Sequence, residues 1–430
     1  MNIWLVKLEE SLPIDENYRP YRMGMLADAL MQRGHNVVRW SSNRIHLTGN
    51  ARFGSDRTIH YTKLQTFELL SSRFDYVKPL SSIRLLDNFY MAYKYNKTGQ
   101  ARIKPDLIVC SMPTPELAKV SSDLGVRFNI PVILDARDYW PDIFEKELIG
   151  IKRLLAFPIV KLMKRNLAKA CKRSTSLVGI TEFYRDHLLH YAGRKVNDRF
   201  DNVFALGYDS SLNRLSEEAK LEANEYWKKT LDLDINLSEK KIVYFAGRFN
   251  STVYKVIEPV VALVDKAQKE WPNYLFVFCG SGQYEAQIRD YLLKFPNVCI
   301  PGEVSSVNLS YLRSKSYIAL QPIESRIDYV NSLSNKFFEY ISSGLPIVTS
   351  LQGVTKRVIK DHEIGFTYDD LSSLVDCMRR LYHNESIRNM MSSRAKELFE
   401  AEYSSEVVYR RFALHCEKVV AEFKKCDNSL

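Results

Sequence analysis

The chain has 430 residues, 46% of them hydrophobic, and a formal charge of +10. That length exceeds one ordinary core, so two domains are expected, and the positive balance suits an anionic partner: nucleic acid, anionic lipid or a phosphorylated substrate. Seven scattered cysteines without a C-x-x-C pair indicate neither a zinc site nor a disulfide framework and read as reduced cytosolic thiols, and no apolar run approaches the roughly 18 residues of a spanning helix.

Residues 2–6 form an apolar run, read as a first parallel strand and not as a secretory leader. After a polar loop over 8–18, Pro20 opens a helix with Met23, Leu26, Ala27 and Leu30 on one face. Arg33-Gly34-His35 closes it, with His35 as a turn residue, and 36–40 is the second strand, completing a βαβ unit. The first turn lacks G-x-G-x-x-G, which argues against an NAD-type Rossmann enzyme. Residues 105–111 and 131–135 read as further strands. Asp135, Arg137 and Asp138 cluster just past the second, where open α/β sheets place their sites; a charged loop with an internal salt bridge fits the same residues equally. Residues 151–173 hold eight basic side chains and no acidic one. Lys161, Arg165, Lys169 and Lys172 form one helical stripe, and Val160, Met163, Leu167 and Ala170 an adjacent apolar one. A basic amphipathic helix suits an anionic membrane surface; a core helix with a solvated basic face is the competing reading.

A polar helix and loop follow over 217–241. The βα alternation then restarts. Strand 241–246 leads into Gly247-Arg248-Phe249 and a helix from about Val256 to Glu270. Strand 274–279 leads into Gly280-Ser281-Gly282, which alone reads equally as a tight turn. Strands 298–300 and 317–320 follow, the first leading into Pro301-Gly302-Glu303-Val304. The stretch 331–346 begins polar, gathers Phe337, Phe338, Tyr340 and Ile341, and stops at Gly344 and Pro346, so a loop feeds a short helix. A helix N-terminus there suits a phosphate. Glu339, flanked by bulky apolar residues, needs a partner: a pair of sugar hydroxyls, or the helix dipole. Asp369-Asp370 reads as a helix N-cap, and 371–430 as helical.

The ordered set L-P-x-D, R-P-x-R-x-G-x-L-A, D-x-R-D-x-W-P, F-x-G-R, G-x-G, P-G-x-V and N-S-x-x-N-K-x-x-E-Y-x-x-x-G-x-P resembles family 4 glycosyltransferases of the GT-B fold, over nearly the whole chain. The resemblance implies an α/β fold with two Rossmann-like α/β domains facing an interdomain cleft. Residues 1–205 would form an acceptor-binding domain, 206–403 a nucleotide-sugar-binding domain, and 404–430 a helix crossing back. It implies Glu339 on the donor ribose, with Asn331, Ser334, Asn335, Lys336, Gly247, Glu303 and Val304 also at the donor. Arg248 and Lys255, spaced slightly wider than in the family, would be the catalytic cations at the departing diphosphate, with surface cations as the plainer reading. Asp138 would serve catalysis or the acceptor. The chain departs from the wider family at Asn331, where a Glu is usual. A carboxylate only accepts hydrogen bonds, whereas an amide also donates, so Asn331 suits an N-acetylated donor sugar, unless it merely caps the loop.

No cofactor or metal is expected, since no D-x-D stands at a strand end. The implied activity is retaining transfer of a sugar from a nucleotide-diphosphate donor, UDP-linked, to a lipid-linked or polysaccharide acceptor in surface glycan synthesis. The expected location is cytoplasmic, peripheral on the inner membrane face. Two alternatives stand beside it: a nucleotide-sugar epimerase of the same fold, and a basic nucleic-acid-binding protein. Against the second, the chain lacks RNP, helix-turn-helix and zinc-finger signatures.

Overall fold

Continuous apolar runs, buried on both faces, become parallel strands covered by helices. The structure is a computed structural model that describes residues 1–16, 18–45, 50–74, 82–112, 114–231 and 239–427. The chain divides into two units, Met1–Ala205 with Val408–Leu430, and Leu206–Val407. Residues 232–238 of the loop expected after the boundary, and 428–430 at the end, lie outside the described residues.

The first unit holds β1 (Asn2–Val6), β2 (Asn36–Ser42), β3 (Arg57–His60), β4 (Gln65–Leu70), β5 (Leu107–Ser111), β6 (Val132–Ala136), β7 (Ser176–Gly179) and β8 (Asn202–Val203). Their order is β3-β4-β2-β1-β5-β6-β7-β8, and β3 runs antiparallel to β4. The first helix starts at Arg22, two residues beyond Pro20, because Tyr21 keeps an extended backbone as its N-cap. It buries Met23, Leu26, Ala27 and Leu30 as the periodicity predicts. The terminal helix Ser405–Asp427 joins this core through Val408, Tyr409, Phe412, Ala413, Cys416, Val419 and Val420, and Phe412 stacks on Phe204 with ring centroids 4.6 Å apart. Each buried Val or Phe among them contributes about 1.5–3 kcal/mol. In the helix Ile151–Arg173, Val160, Met163, Leu167 and Ala170 are buried. From residue 160 onward it is therefore a core helix, with Lys161, Arg165, Lys169 and Lys172 on its solvated side.

The second unit holds β9 (Lys241–Ala246), β10 (Tyr274–Cys279), β11 (Val298–Gly302), β12 (Ile318–Gln321), β13 (Ile347–Thr349) and β14 (Gly365–Thr367). They run parallel in the order β11-β10-β9-β12-β13-β14. The chain winds one way from β9 to β11 and the other way from β12 to β14. The strand order thus reverses between β9 and β12, which opens a crevice at the carboxyl ends of those strands. Val260, Leu263, Val264 and Ala267 of the helix Glu258–Glu270 pack with Leu374, Met378 and Leu381 of the helix Leu371–His383 in one core. Asp370 caps the latter helix through a reciprocal capping box with Ser373.

Candidate functional site

The parallel register aligns three strand ends in the second unit. Ala246 of β9 stands beside Cys279 of β10, which stands beside Gly302 of β11. The turns that follow are therefore neighbours. The Gly247 N–H donates to the Cys279 carbonyl at 3.0 Å and the Gly280 N–H to the Gly302 carbonyl at 2.7 Å. Gly280 has φ +143°, and a Cβ there would lie 1.8 Å from the Gly247 carbonyl oxygen. Only glycine admits this approach, so Gly280-Ser281-Gly282 is more than an ordinary turn: it lets two strand-end loops close on one space.

That space is a cavity of about 530 Å³ whose lining includes Gly247, Arg248, Gly280, Glu303, Val304 and Lys336. Six residues named from sequence, on three strand-end loops and a helix, thus meet at one place. Arg248 is exposed and makes no ion pair among the described residues, which leaves its charge available to a ligand.

The helix Asn335–Ser342 supplies Lys336 and Glu339. Ser334 is its N-cap, accepting from the Phe337 N–H at 3.3 Å, and the Gln321 side-chain amide at the end of β12 donates to the Ser334 hydroxyl at 3.1 Å. Phe337, Phe338, Tyr340 and Ile341 bury the helix in the core. Glu339, between them, is 4% exposed. Its Oε2 accepts from Lys336 Nζ at 2.9 Å and from Arg313 Nη1 at 3.4 Å.

Arg313, on the helix Ser306–Lys315, is the residue that sequence reasoning missed. It is also 4% exposed. Its Nε donates to Ser343 Oγ at 2.9 Å, and its Nη2 to Asn213 Oδ1 at 2.5 Å and Tyr208 Oη at 3.3 Å. One guanidinium therefore fixes the Glu339 carboxylate and ties it to Tyr208 and Asn213, in the segment that enters this unit.

The remaining expected residues lie elsewhere. Lys255 does not line the cavity; the short helix Ser251–Tyr254, capped by the Asn250 side chain, carries it to Glu324, whose oxygens stand 3.0 and 3.1 Å from Nζ. Asn331 ends the short helix Ile327–Val330 and donates through Nδ2 to the Ile327 carbonyl at 2.8 Å, a capping contact. Ser334 and Asn335 flank the cavity residues along the chain without lining it. Asp138 is in the first unit, where its Oδ1 accepts from the Tyr139 N–H at 2.8 Å. Beside it in sequence, Asp135 is held in a buried bidentate pair with Arg22, at 2.7 and 2.8 Å, which makes Asp135 structural. Lys7, at the end of β1, has its amine lowered to about 8, by burial first and then by the Arg137 charge.

Residues 229–398 match the family model described as glycosyl transferases group 1. The chain is a glycosyltransferase. Three solved structures resemble it along almost its whole length. Sucrose-phosphate synthase from Thermosynechococcus elongatus is 14% identical, covers 98% of this chain and 99% of its own, and has a TM-score of 0.69. HepE of Anabaena, in complex with UDP and glucose, is 12% identical with 97% and 99% coverage and a TM-score of 0.59. WaaG, a glycosyltransferase involved in lipopolysaccharide biosynthesis, is 14% identical with 96% and 98% coverage and a TM-score of 0.60. No curated protein sequence matches the chain. At these identities the likeness is one of fold, and the glycosyltransferase has the GT-B fold of two Rossmann-like α/β units.

Proposed function

We propose that the glycosyltransferase moves a sugar from a UDP-linked donor to a lipid-linked or polysaccharide acceptor in surface glycan synthesis, with retention at the anomeric carbon, as a peripheral protein of an inner membrane face. The observation that carries the donor is the convergence of Arg248, Lys336 and the Gly247 and Gly280 loops on one cavity, with Glu339 fixed behind Lys336. A departing nucleoside diphosphate gathers negative charge, and preorganised cations and N–H groups aimed at that charge are usually the largest single contribution to such a reaction. In this reading Arg248 and Lys336 meet the diphosphate, and Glu303 and Val304 border the nucleotide. Glu339 accepts from the ribose hydroxyls. Lys255 contributes only by exchanging Glu324 for the ligand, and Asp138 serves the acceptor.

Two similar structures support the substrate classes: HepE was solved with UDP and glucose, and WaaG acts in lipopolysaccharide biosynthesis. Retention rests on the resemblance to family 4. No helix among the described residues is long and apolar enough to cross a membrane, which is compatible with a peripheral role. The test is mass spectrometry of UDP-sugars incubated with the purified protein, with and without lipid-linked acceptor. Transfer predicts release of UDP and a heavier acceptor, dependent on the acceptor. A new epimer formed without acceptor would assign the epimerase reaction instead, and no consumption of any nucleotide-sugar would contradict the proposal.

A further inference from the structure

Residues 149–162 carry an apolar surface that the core does not use. Ile149 is 82% exposed, Ile151 67%, Leu154 69%, Leu155 73%, Phe157 58% and Leu162 44%. Scattered exposed apolar residues need no explanation, but a contiguous patch marks an interaction site. Ile151, Leu155, Pro158 and Leu162 follow at spacings of four, three and four, one side of a helix. Pro158 has no N–H to offer the Leu154 carbonyl, so the first two turns are set off from the rest. Beyond them the helix is anchored: Val160, Met163, Leu167 and Ala170 are buried, and Lys164 Nζ stands 2.8 Å from both Asp142 and Glu145. The result is an apolar tip on a fixed stalk.

The charges around the tip identify what it meets. Lys152, Arg153, Lys161 and Arg165 are exposed, and 151–173 contains no acidic residue. A second copy of the chain would set these cations against their like. A nucleic acid would answer the charge but offers no apolar medium to Leu and Phe side chains. The interface of an anionic bilayer answers both. We propose that residues 149–162 are a membrane-docking surface, with Ile149, Ile151, Leu154, Leu155 and Phe157 entering the boundary between headgroups and acyl chains while Lys152, Arg153, Lys161 and Arg165 lie on lipid phosphates. This rests on the reading of the chain as a peripheral enzyme and states which part inserts: the apolar tip, with the basic stripe as its support.

The test is flotation of the full chain with vesicles of phosphatidylcholine, alone or mixed with phosphatidylglycerol, for the wild type and for the double variant Leu154→Asp/Phe157→Asp. These side chains are exposed, so the variant keeps the wild-type melting temperature and UDP affinity. The wild type binds the anionic vesicles, and the variant binds them at least about tenfold more weakly. Part of the wild-type binding survives salt that screens exposed charges, and Phe157→Trp gives fluorescence quenched by brominated lipid. Equal binding of wild type and double variant, or an unquenched Trp on bound protein, would overturn insertion while leaving a purely electrostatic membrane role standing. A wild type that binds no vesicle would overturn both. A wild-type dimer that the double variant dissociates would assign the tip to a second copy and overturn the proposal. The donor reading is tested separately by UDP titration of the same samples.

Discussion

Replacing Arg313 by Met removes the centre of the buried network around Glu339 while keeping an apolar chain of similar length. Arg313 and Glu339 are each 4% exposed, and breaking a buried ion pair from one side costs about 3–5 kcal/mol because the other charge stays buried. Two features put the cost at the lower end. Lys336 Nζ still donates to Glu339 Oε2 at 2.9 Å, and Tyr208 Oη still donates to Asn213 Oδ1 at 2.7 Å. We therefore expect Arg313→Met to lose about 3 kcal/mol of stability. Lys336→Met, which removes a partner that is 32% exposed, should lose about 1 kcal/mol or less. UDP affinity should fall about tenfold in Arg313→Met, about 1.4 kcal/mol, because Glu339 loses the group that orients it. Arg313→Lys, which keeps the charge without the fork of donors, should fall between. Denaturant unfolding gives the first quantity and calorimetric UDP titration of the folded variants the second. Arg313→Met with unchanged stability and unchanged UDP affinity would refute the role given to this network.

Arg248→Ala should lower kcat by about 10²-fold or more, the scale for a lost transition-state charge contact, and Lys255→Ala should lower it less, since Lys255 is paired with Glu324; near-normal turnover in Arg248→Ala rejects its assignment. His415 is buried, and its imidazole is lowered to about 4, by burial first and the Lys418 charge second. As pH falls from about 6.5 to about 4, the unfolded chain takes up a proton that the folded chain refuses, so stability should fall across that window by up to about 3 kcal/mol from this group. A His415→Gln variant whose melting temperature keeps the wild-type pH slope would contradict it. Asn331→Glu should change the ratio of kcat/KM for an N-acetylated over a plain hexose donor if Asn331 reads the sugar. An unchanged ratio leaves Asn331 as the helix cap that its contact with Ile327 describes.

The strands that could be read from sequence are those buried on both faces. Asn2–Val6, Lys241–Ala246 and Tyr274–Cys279 are mostly apolar runs, each with a strand on either side in its sheet. Arg57–His60 is an edge strand of Arg, Thr, Ile and His with little burial, specified by its pairing with Gln65–Leu70 and not by its own pattern. The cavity was legible because Gly247, Arg248, Gly280, Glu303 and Val304 follow strands and Lys336 opens a helix, and parallel register brings such positions together. Arg313 was not, because its role depends on Glu339, Asn213 and Tyr208, which are far from it in the chain. The displacement of Lys255 had a readable signal: Asn250-Ser251-Thr252 is a helix-capping sequence, and the Asn250 side chain does accept from the Val253 N–H. In the helix Ile151–Arg173, periodicity shows that apolar faces exist but not which one the core covers. Val160, Met163, Leu167 and Ala170 went inward and left Ile151, Leu154, Leu155 and Phe157 outside.

The cavity beside Arg248 and Lys336, with Glu339 behind it, is proposed to bind a nucleoside diphosphate. Calorimetric titration of UDP into wild type and Glu339→Gln tests this binding. An amide at 339 keeps the shape of the side chain but removes the charge proposed to accept from ribose hydroxyls. The wild type should bind UDP saturably, and a Glu339→Gln variant that remains folded should bind it about tenfold or more weakly. No UDP binding by the wild type, or equal affinity in the folded variant, would contradict it.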